Sequence, residues 1–313
     1  MDITLRVLQQ VAIMLLPLGL GVLLYRIKLI TDEGNRQLSS LLLFVVNPAL
    51  IFITYDQAYD AKHLQGLLLS CILTAAGIFV MIVLSHFLVK DKHKEYQVER
   101  FAATYSNCGF IGIPIVNGVF GSEGVFYLTG VITVFNIFVW THGILLMKGR
   151  EGEKLTLKET AKNLFTPALV AALLGLIFYL LQIPVPELIN ESIGYVADMN
   201  TPLAMLIAGL TLAQSDLKRV LFNKRLYYIS FLKLLLYPII LIVLFYWLPI
   251  DSVVLLSIVI SLGGPVAAAC TAMALRFNKS PVYASELFAM TTLFSAVTLP
   301  LVVMFHTLMD FLF

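Results

Sequence analysis

Hydrophobic residues in this chain fall in long runs rather than in alternation. Ten runs, each near the roughly 20 residues a helix needs to cross a bilayer, are set apart by short polar breaks. Their bounds read 4–26, 35–57, 64–89, 100–120, 123–147, 164–183, 192–214, 226–248, 252–276 and 282–312. The clearest, from Leu67 to Val89, carries no charged side chain beyond a proton on His86. The pattern predicts an all-α polytopic membrane protein with ten transmembrane helices. The apolar segment near the N-terminus lacks the short core and small-residue cleavage site of a signal peptide, so it is expected to stay as the first span.

Two runs are interrupted. The fourth reads Asn107-Cys108-Gly109-Phe110-Ile111-Gly112-Ile113-Pro114, and the ninth reads Gly263-Gly264-Pro265. Pro114 and Pro265 lie about half of the 313-residue chain apart. Proline removes a backbone donor and clashes with the carbonyl one turn earlier, and glycines loosen the same stretch, so each helix is expected to open there. Exposed backbone at membrane depth is tolerated only against protein or a watery cavity. Paired broken helices at matching places are the sequence mark of a midplane binding site in a secondary transporter. A second pair, Asn47-Pro48 and Thr201-Pro202, has nearly the same offset.

Composition supports the membrane reading. Hydrophobic residues make up 59% of the chain and charged residues 13%, about half the charged share of a soluble domain, and the mean hydropathy is +0.91. The net charge of +2 offers no case for nucleic-acid binding. All basic residues except Arg6, Lys62 and Lys233 fall on one side of the predicted topology. The positive-inside rule then puts both termini outside the cytoplasm of a multi-pass protein in the cytoplasmic membrane. Five spans per half is an odd number, so residues 1–148 and 164–313 are expected as two inverted five-helix repeats, joined by a charged cytoplasmic linker at 149–163. Cys71, Cys108 and Cys270 have no metal-ligand spacing and are read as packing residues. No metal site and no cofactor are expected.

With the repeats inverted, the second halves of the two broken helices run away from the centre in opposite directions, and both N-termini face one point. Each carries about half a positive charge and unpaired N–H donors, so together they form an anion site without a cationic side chain. The expected donors are the amides near Ile115 to Asn117 and near Val266 to Ala268. Pro114 and Pro265 supply the breaks, and Gly109, Gly112, Gly263 and Gly264 allow close approach. The amide of Asn107 is expected to donate to a carboxylate. For Asn47, Pro48, Asn200, Thr201 and Pro202 two readings stay open: they line the path, or they cap freed carbonyls. Asn136 and Thr271 read as interhelical hydrogen bonds.

Lys233 is the one clearly intramembrane lysine, a position that is functional by default. It lies near the cytoplasmic end of the eighth span, and the favoured expectation is that its stem snorkels to the interface; the other reading is a coupling role. Asp198, Glu187 and Glu191 read as a solvated external face, with Asp198 as a candidate gate. Glu286 opens the last span, where the helix dipole favours an anion. His142 and His306, read without an acidic partner at helical spacing, are expected to pack. There is no nucleophile with a base, no HExxH and no phosphate-binding glycine loop, so an enzyme is not expected.

The string Ser106 to Ile115 resembles the Asn, then Gly-Ile-Pro, crossover signature of the auxin efflux carrier family, which includes bacterial malate permease-like proteins. Gly264-Pro265, then Arg276-Phe277-Asn278-Lys279-Ser280-Pro281, Ser285 and Leu299-Pro300 are similar to its second crossover and last helix, and Phe44 to Pro48 also match. The resemblance implies a ten-helix inverted-repeat fold like that of bile-acid and sodium/proton transporters. It implies that helices 1, 2, 6 and 7 form a dimerising scaffold while helices 3 to 5 and 8 to 10 move as a transport domain. It also implies a small organic anion, a mono- or dicarboxylate such as malate, held at Asn107 and the crossover backbone and carried by an elevator-like movement. The coupling ion stays open between sodium, protons and none. The long cytosolic loop of plant members is absent, and the third span lacks their ionised side chains. A membrane ligand sensor or channel using the same site is the competing class, and a cation/proton antiporter ranks last for want of an acidic residue near the breaks.

Overall fold

The computed structural model describes residues 3–149, 165–215 and 217–312, and they are helical throughout apart from short connections and one isolated antiparallel bridge. In chain order the helices are α1 (Ile3–Arg26), α2 (Asp32–Ile53), α3 (Ala61–Leu88), α4 (Tyr96–Thr104), α5 (Cys108–Lys148) and α6 (Pro167–Leu181). They continue as α7 (Glu187–Ala213), α8 (Leu217–Phe222), α9 (Lys224–Phe245), α10 (Ser252–Leu262), α11 (Ala269–Arg276) and α12 (Pro281–Leu312). Among the described residues, seven helices are long and apolar enough to cross a membrane, and α6 and α10 are shorter apolar helices. α5 turns sharply at Gly121, whose φ of 66° suits glycine, and so divides near its first third. Of the expected linker at 149–163, only Gly149 falls among the described residues.

Three of the prolines sit two residues after a π turn: Leu42–Val46 before Pro48, Cys108–Gly112 before Pro114, and Leu232–Leu236 before Pro238. The wider turn absorbs both the missing donor and the clash of the ring with the preceding turn, so the helix runs on where a regular α-turn would break. These prolines therefore mark places where the helix widens, and breaks have to be made by other means.

The interior follows membrane packing rules. α1 and α7 touch backbone to backbone, because a methyl group added at Gly21 or Gly209 would overlap the Leu206 or Leu18 carbonyl of the facing helix. Ser70 on α3 donates to the Tyr127 carbonyl of α5 at 2.9 Å, and Gly130 on α5 leaves room for the Ser70 hydroxyl. The outer faces are apolar: Leu16 on α1 and Leu181 on α6 are 77% and 68% exposed. In water such a surface would be a liability, whereas it suits acyl chains.

Candidate functional site

α4 ends at Thr104, and the chain runs extended through Tyr105 (φ −101°, ψ 127°) before α5 starts at Cys108. α10 ends at Leu262, and residues 263–268 are non-helical before α11 begins at Ala269. The two unwound stretches cross as one antiparallel bridge, Ser106 against Val266. Asn107 N donates to Pro265 O at 2.8 Å and Ala267 N to Tyr105 O at 3.0 Å, while Val266 N donates to the Thr291 hydroxyl of α12 at 3.0 Å. Backbone groups that lose their intrahelical partners thus satisfy one another, as burial away from water requires.

The first break differs from the one read off the proline. It lies at Tyr105–Asn107, about two turns before Pro114, because the π turn Cys108–Gly112 accommodates that proline within a continuous helix. Ile115 and Val116 are buried in that helix, so the amides expected as free donors near Ile115 to Asn117 are spent on its own ladder. The amides left without an intrahelical acceptor belong to the first turn, Cys108 to Phe110. At the second break the amides of Val266 and Ala267, expected as free donors, are taken by the Thr291 hydroxyl and the Tyr105 carbonyl, and the first turn of α11 follows at Ala269.

A cavity of about 500 Å³ adjoins the crossing. Asn107, Cys108, Gly109 and Phe110 from the start of α5 line it, as do Ala268 and Ala269 from the start of α11, so two helix N-termini face one space. Asn47 and Phe44 from α2, Phe135 and Trp140 from α5 and Pro167 from α6 complete the wall. A second cavity of about 290 Å³ shares Ser39, Asn107, Phe110 and Ala268 with the first and extends past Thr211, Thr271 and Ser285. No acidic or basic side chain lines either cavity among the described residues. Asn107 lies between the two, 5% exposed, and its Nδ2 has no hydrogen-bond partner. A buried amide with unused donors is an invitation to an acceptor.

The polar residues at the other proline sites meet here. Asn200 Nδ2 donates to Asn47 Oδ1 at 2.6 Å, and Asn47 Nδ2 donates to Gly109 O at 3.2 Å. Asn47 therefore lines the cavity and bonds a carbonyl of the first turn of α5. On α7 the residue that joins is Asn200, while Pro202 is exposed. Thr201 and Pro48 line neither cavity, and neither do Gly112, Pro114, Ile115, Asn117, Gly263, Gly264, Pro265 and Val266. Several of these shape the crossing from behind: Gly112 packs on Ser261, and a methyl group at Gly263 would press on Pro238. Asp198 is exposed on α7 and lines neither cavity.

Lys233 corrects the expectation that it snorkels. It is fully buried, in the π turn of α9, and its Nζ reaches the crossing at Ser106. It donates to Ser106 Oγ at 2.6 Å, Leu262 O at 3.1 Å and Thr104 O at 3.2 Å. Thr104 and Leu262 are the last residues of α4 and α10, so one ammonium closes two helix C-termini. Each end carries about half a negative charge, and a single cation matches the pair.

A buried carboxylate went unread in the sequence. Glu99 on α4 is fully buried and accepts from Arg225 Nε at 2.9 Å, Arg225 Nη2 at 2.7 Å and the Tyr283 hydroxyl at 2.9 Å, with His93 Nδ1 at 3.0 Å. The two-pronged guanidinium contact ties α4 to α9, and the Tyr283 hydroxyl ties α4 to α12. Its signal was weak, because Glu99 sits one residue outside the expected fourth span. His306 also departs from its reading: Asp310, four residues on, lies 3.2 Å from its Nδ1. His142 shares a 2.8 Å hydrogen bond with the Tyr105 hydroxyl.

Comparison with known proteins gives the family. An "Uncharacterized transporter" of Methanothermobacter thermautotrophicus is 28% identical over 292 residues, which is 90% of this chain and 92% of that protein. "Uncharacterized transporter YfdV" of Escherichia coli K12 is 24% identical over 298 residues, again 90% and 92% of the two chains. A Rhizobium meliloti protein named "Putative malonate transporter" is 23% identical over 227 residues, 70% of each. The family model described as "Membrane transport protein" matches residues 6–303, and with several membrane-competent helices in place the chain belongs to that family of multi-pass transporters, the auxin efflux carriers among them, and not to an enzyme family.

Proposed function

We propose that this protein is a secondary carrier of small organic anions, mono- or dicarboxylates of the size of malonate or malate, working across the cytoplasmic membrane by alternating access. The observation that carries the reading is the convergence of two helix N-termini and the unpartnered Asn107 amide on a space of about 500 Å³ with no acidic or basic wall. Each N-terminus favours an anion by about 0.3–2 kcal/mol depending on burial. The aromatic and aliphatic walls from Phe44, Phe110, Phe135 and Trp140 set size and exclude large polar solutes. The name of the Rhizobium relative points the same way, toward a short dicarboxylate.

The antiparallel crossing of the two breaks supports ten spans in two inverted halves, 1–148 and 164–313, with α5 supplying two spans across its Gly121 bend. In this arrangement α1, α2, α6 and α7 form a scaffold, held by the glycine contact of α1 with α7. The remaining helices form the moving body. The cavity lies between α2 and α6 on one side and the crossing on the other, where sliding of one body past the other would carry a bound anion. The apolar faces of α1 and α6 suit lipid contact and a second copy, and the basic loops support termini on the outside.

The test is counterflow in proteoliposomes. Labelled malonate or malate is expected to enter saturably and to be accelerated by the same anion on the trans side. Flux that is linear in concentration and indifferent to trans anion would make the protein a channel, and binding without flux would make it a sensor. Asn107→Ala removes a buried donor to a charged group, worth about 1.5–3 kcal/mol, so the half-saturation concentration is expected to rise roughly 10- to 100-fold. Unchanged affinity in that variant would take Asn107 out of the site.

A further inference from the structure

The environment of Lys233 resembles a cation site more than an ion pair. Its three ammonium protons meet three oxygens, the Thr104 and Leu262 carbonyls and the Ser106 hydroxyl, at 2.6–3.2 Å. All three are neutral, and two are the last carbonyls of helices whose dipoles point their negative ends at Nζ. No carboxylate pairs with Lys233 in any ion pair of the described residues; Glu99 is taken by Arg225, and Glu286 by Arg219. Unwound carbonyls and the C-terminal ends of broken helices, converging at mid-depth, are the ligand set by which transporters bind an alkali cation. Here a side chain occupies that position.

We propose that Lys233 is a tethered cation standing where a coupling sodium ion would otherwise bind, so that the wild-type protein neither binds nor needs sodium. The flux consequence rests on the carrier reading above; the binding consequence does not. Two features support a cation position rather than incidental packing. The oxygens come from both broken helices and the residue between α4 and α5, so the cation fixes the crossing itself and with it the aim of the two N-termini. The lysine also projects from a π turn, which rotates it inward in a helix whose other residues at that level are apolar.

The experiment compares wild type, Lys233→Ala and Lys233→Met in detergent, in sodium chloride against choline chloride at equal ionic strength, with melting temperature and radioactive sodium binding as readouts. Lys233→Ala opens space beside the three oxygens. Sodium at about tenfold over its Kd is expected to bind it and to raise its melting temperature by about 2–4 °C. Lys233→Met fills the same space without charge and is expected to gain nothing. Wild type is expected to bind no sodium and to melt alike in both salts. In proteoliposomes, malonate uptake is expected to be sodium-independent in wild type and sodium-dependent in Lys233→Ala. Sodium binding or sodium-stimulated uptake in wild type would overturn the proposal, and so would a folded Lys233→Ala that melts alike in both salts. If Lys233→Ala fails to fold in choline, its recovery in sodium supports the proposal, and failure in both salts while Lys233→Met folds overturns it. A wild type that transports none of the anions would sink the carrier reading alone, since the binding readouts need no substrate.

Discussion

The two sides of the helix crossing are built alike and finished differently. On one side α4 and α10 end, and their last carbonyls converge on one buried ammonium. On the other side α5 and α11 begin, and their first turns line a cavity without an acidic or basic side chain. Both sides hold two half-charges of one sign, about one elementary charge in total. The protein neutralises the negative side with its own lysine, and in the proposed carrier the positive side is left to the solute. On the proposed reading, the difference teaches that anion preference needs no cationic residue at the binding surface. A lysine placed there would hold the anion and hinder its release, whereas the same residue behind the crossing cancels the field that would repel it.

The strongest way to break this asymmetry is to remove the cation. Lys233→Met keeps the stem and deletes the ammonium, taking the donor from the Thr104 carbonyl and the Ser106 hydroxyl at about 1–3 kcal/mol each, while the Leu262 carbonyl keeps its bond from Ser106 Oγ. Thermal unfolding in detergent is expected to show a loss of several kcal/mol, with anion binding weakened beyond that of any cavity-wall variant. Near-wild-type stability and affinity in Lys233→Met would mean that the two C-termini need no counter-charge.

A smaller effect is expected on the cavity side. Asn47→Ala removes the donor to the Gly109 carbonyl and strands the amide of Asn200, a cost of about 1–3 kcal/mol. Because the chain Asn200 to Asn47 to Gly109 acts as one unit, Asn47→Ala and Asn200→Ala together are expected to cost much less than the sum of the two. Additive losses in such a double-mutant cycle would show that the two residues work apart.

Much of the architecture was legible because it is written in one dimension. Runs of apolar residues place the last helix at 282–312 against an observed Pro281–Leu312, and the first at 4–26 against Ile3–Arg26. The paired Gly/Pro motifs point to the two helices that cross. What stayed hidden depends on rotation and partnership. Depth along α9 says nothing of whether Lys233 turns toward lipid or toward the crossing, and a π turn, which no simple period reveals, decides it. Asn200 rather than Thr201 reaches Asn47 for the same reason, since one residue around a helix is about 100° of azimuth. Glu99 gives no local signal because its partners, Arg225 and Tyr283, lie far along the chain.

The position of the first break sharpens the comparison at least cost. If proline made the break, Pro114→Ala would let α4 and α5 fuse and would abolish the crossing. The structure instead puts the extended residues at Tyr105–Asn107, held by the bridge to Pro265 and Ala267, with Pro114 already in helix. Alanine at 114 regains an amide whose regular acceptor is the Phe110 carbonyl, and it is a better helix former, so the variant is expected to change stability by less than about 1 kcal/mol. Anion affinity is expected to stay within about threefold of wild type, because Cys108 to Phe110 and Asn107 keep their places. A loss in Pro114→Ala as deep as that in Asn107→Ala would show that the proline, and with it the π turn it sits behind, sets the aim of the α5 N-terminus. The bridge at Ser106 would then be a consequence of the break rather than its cause.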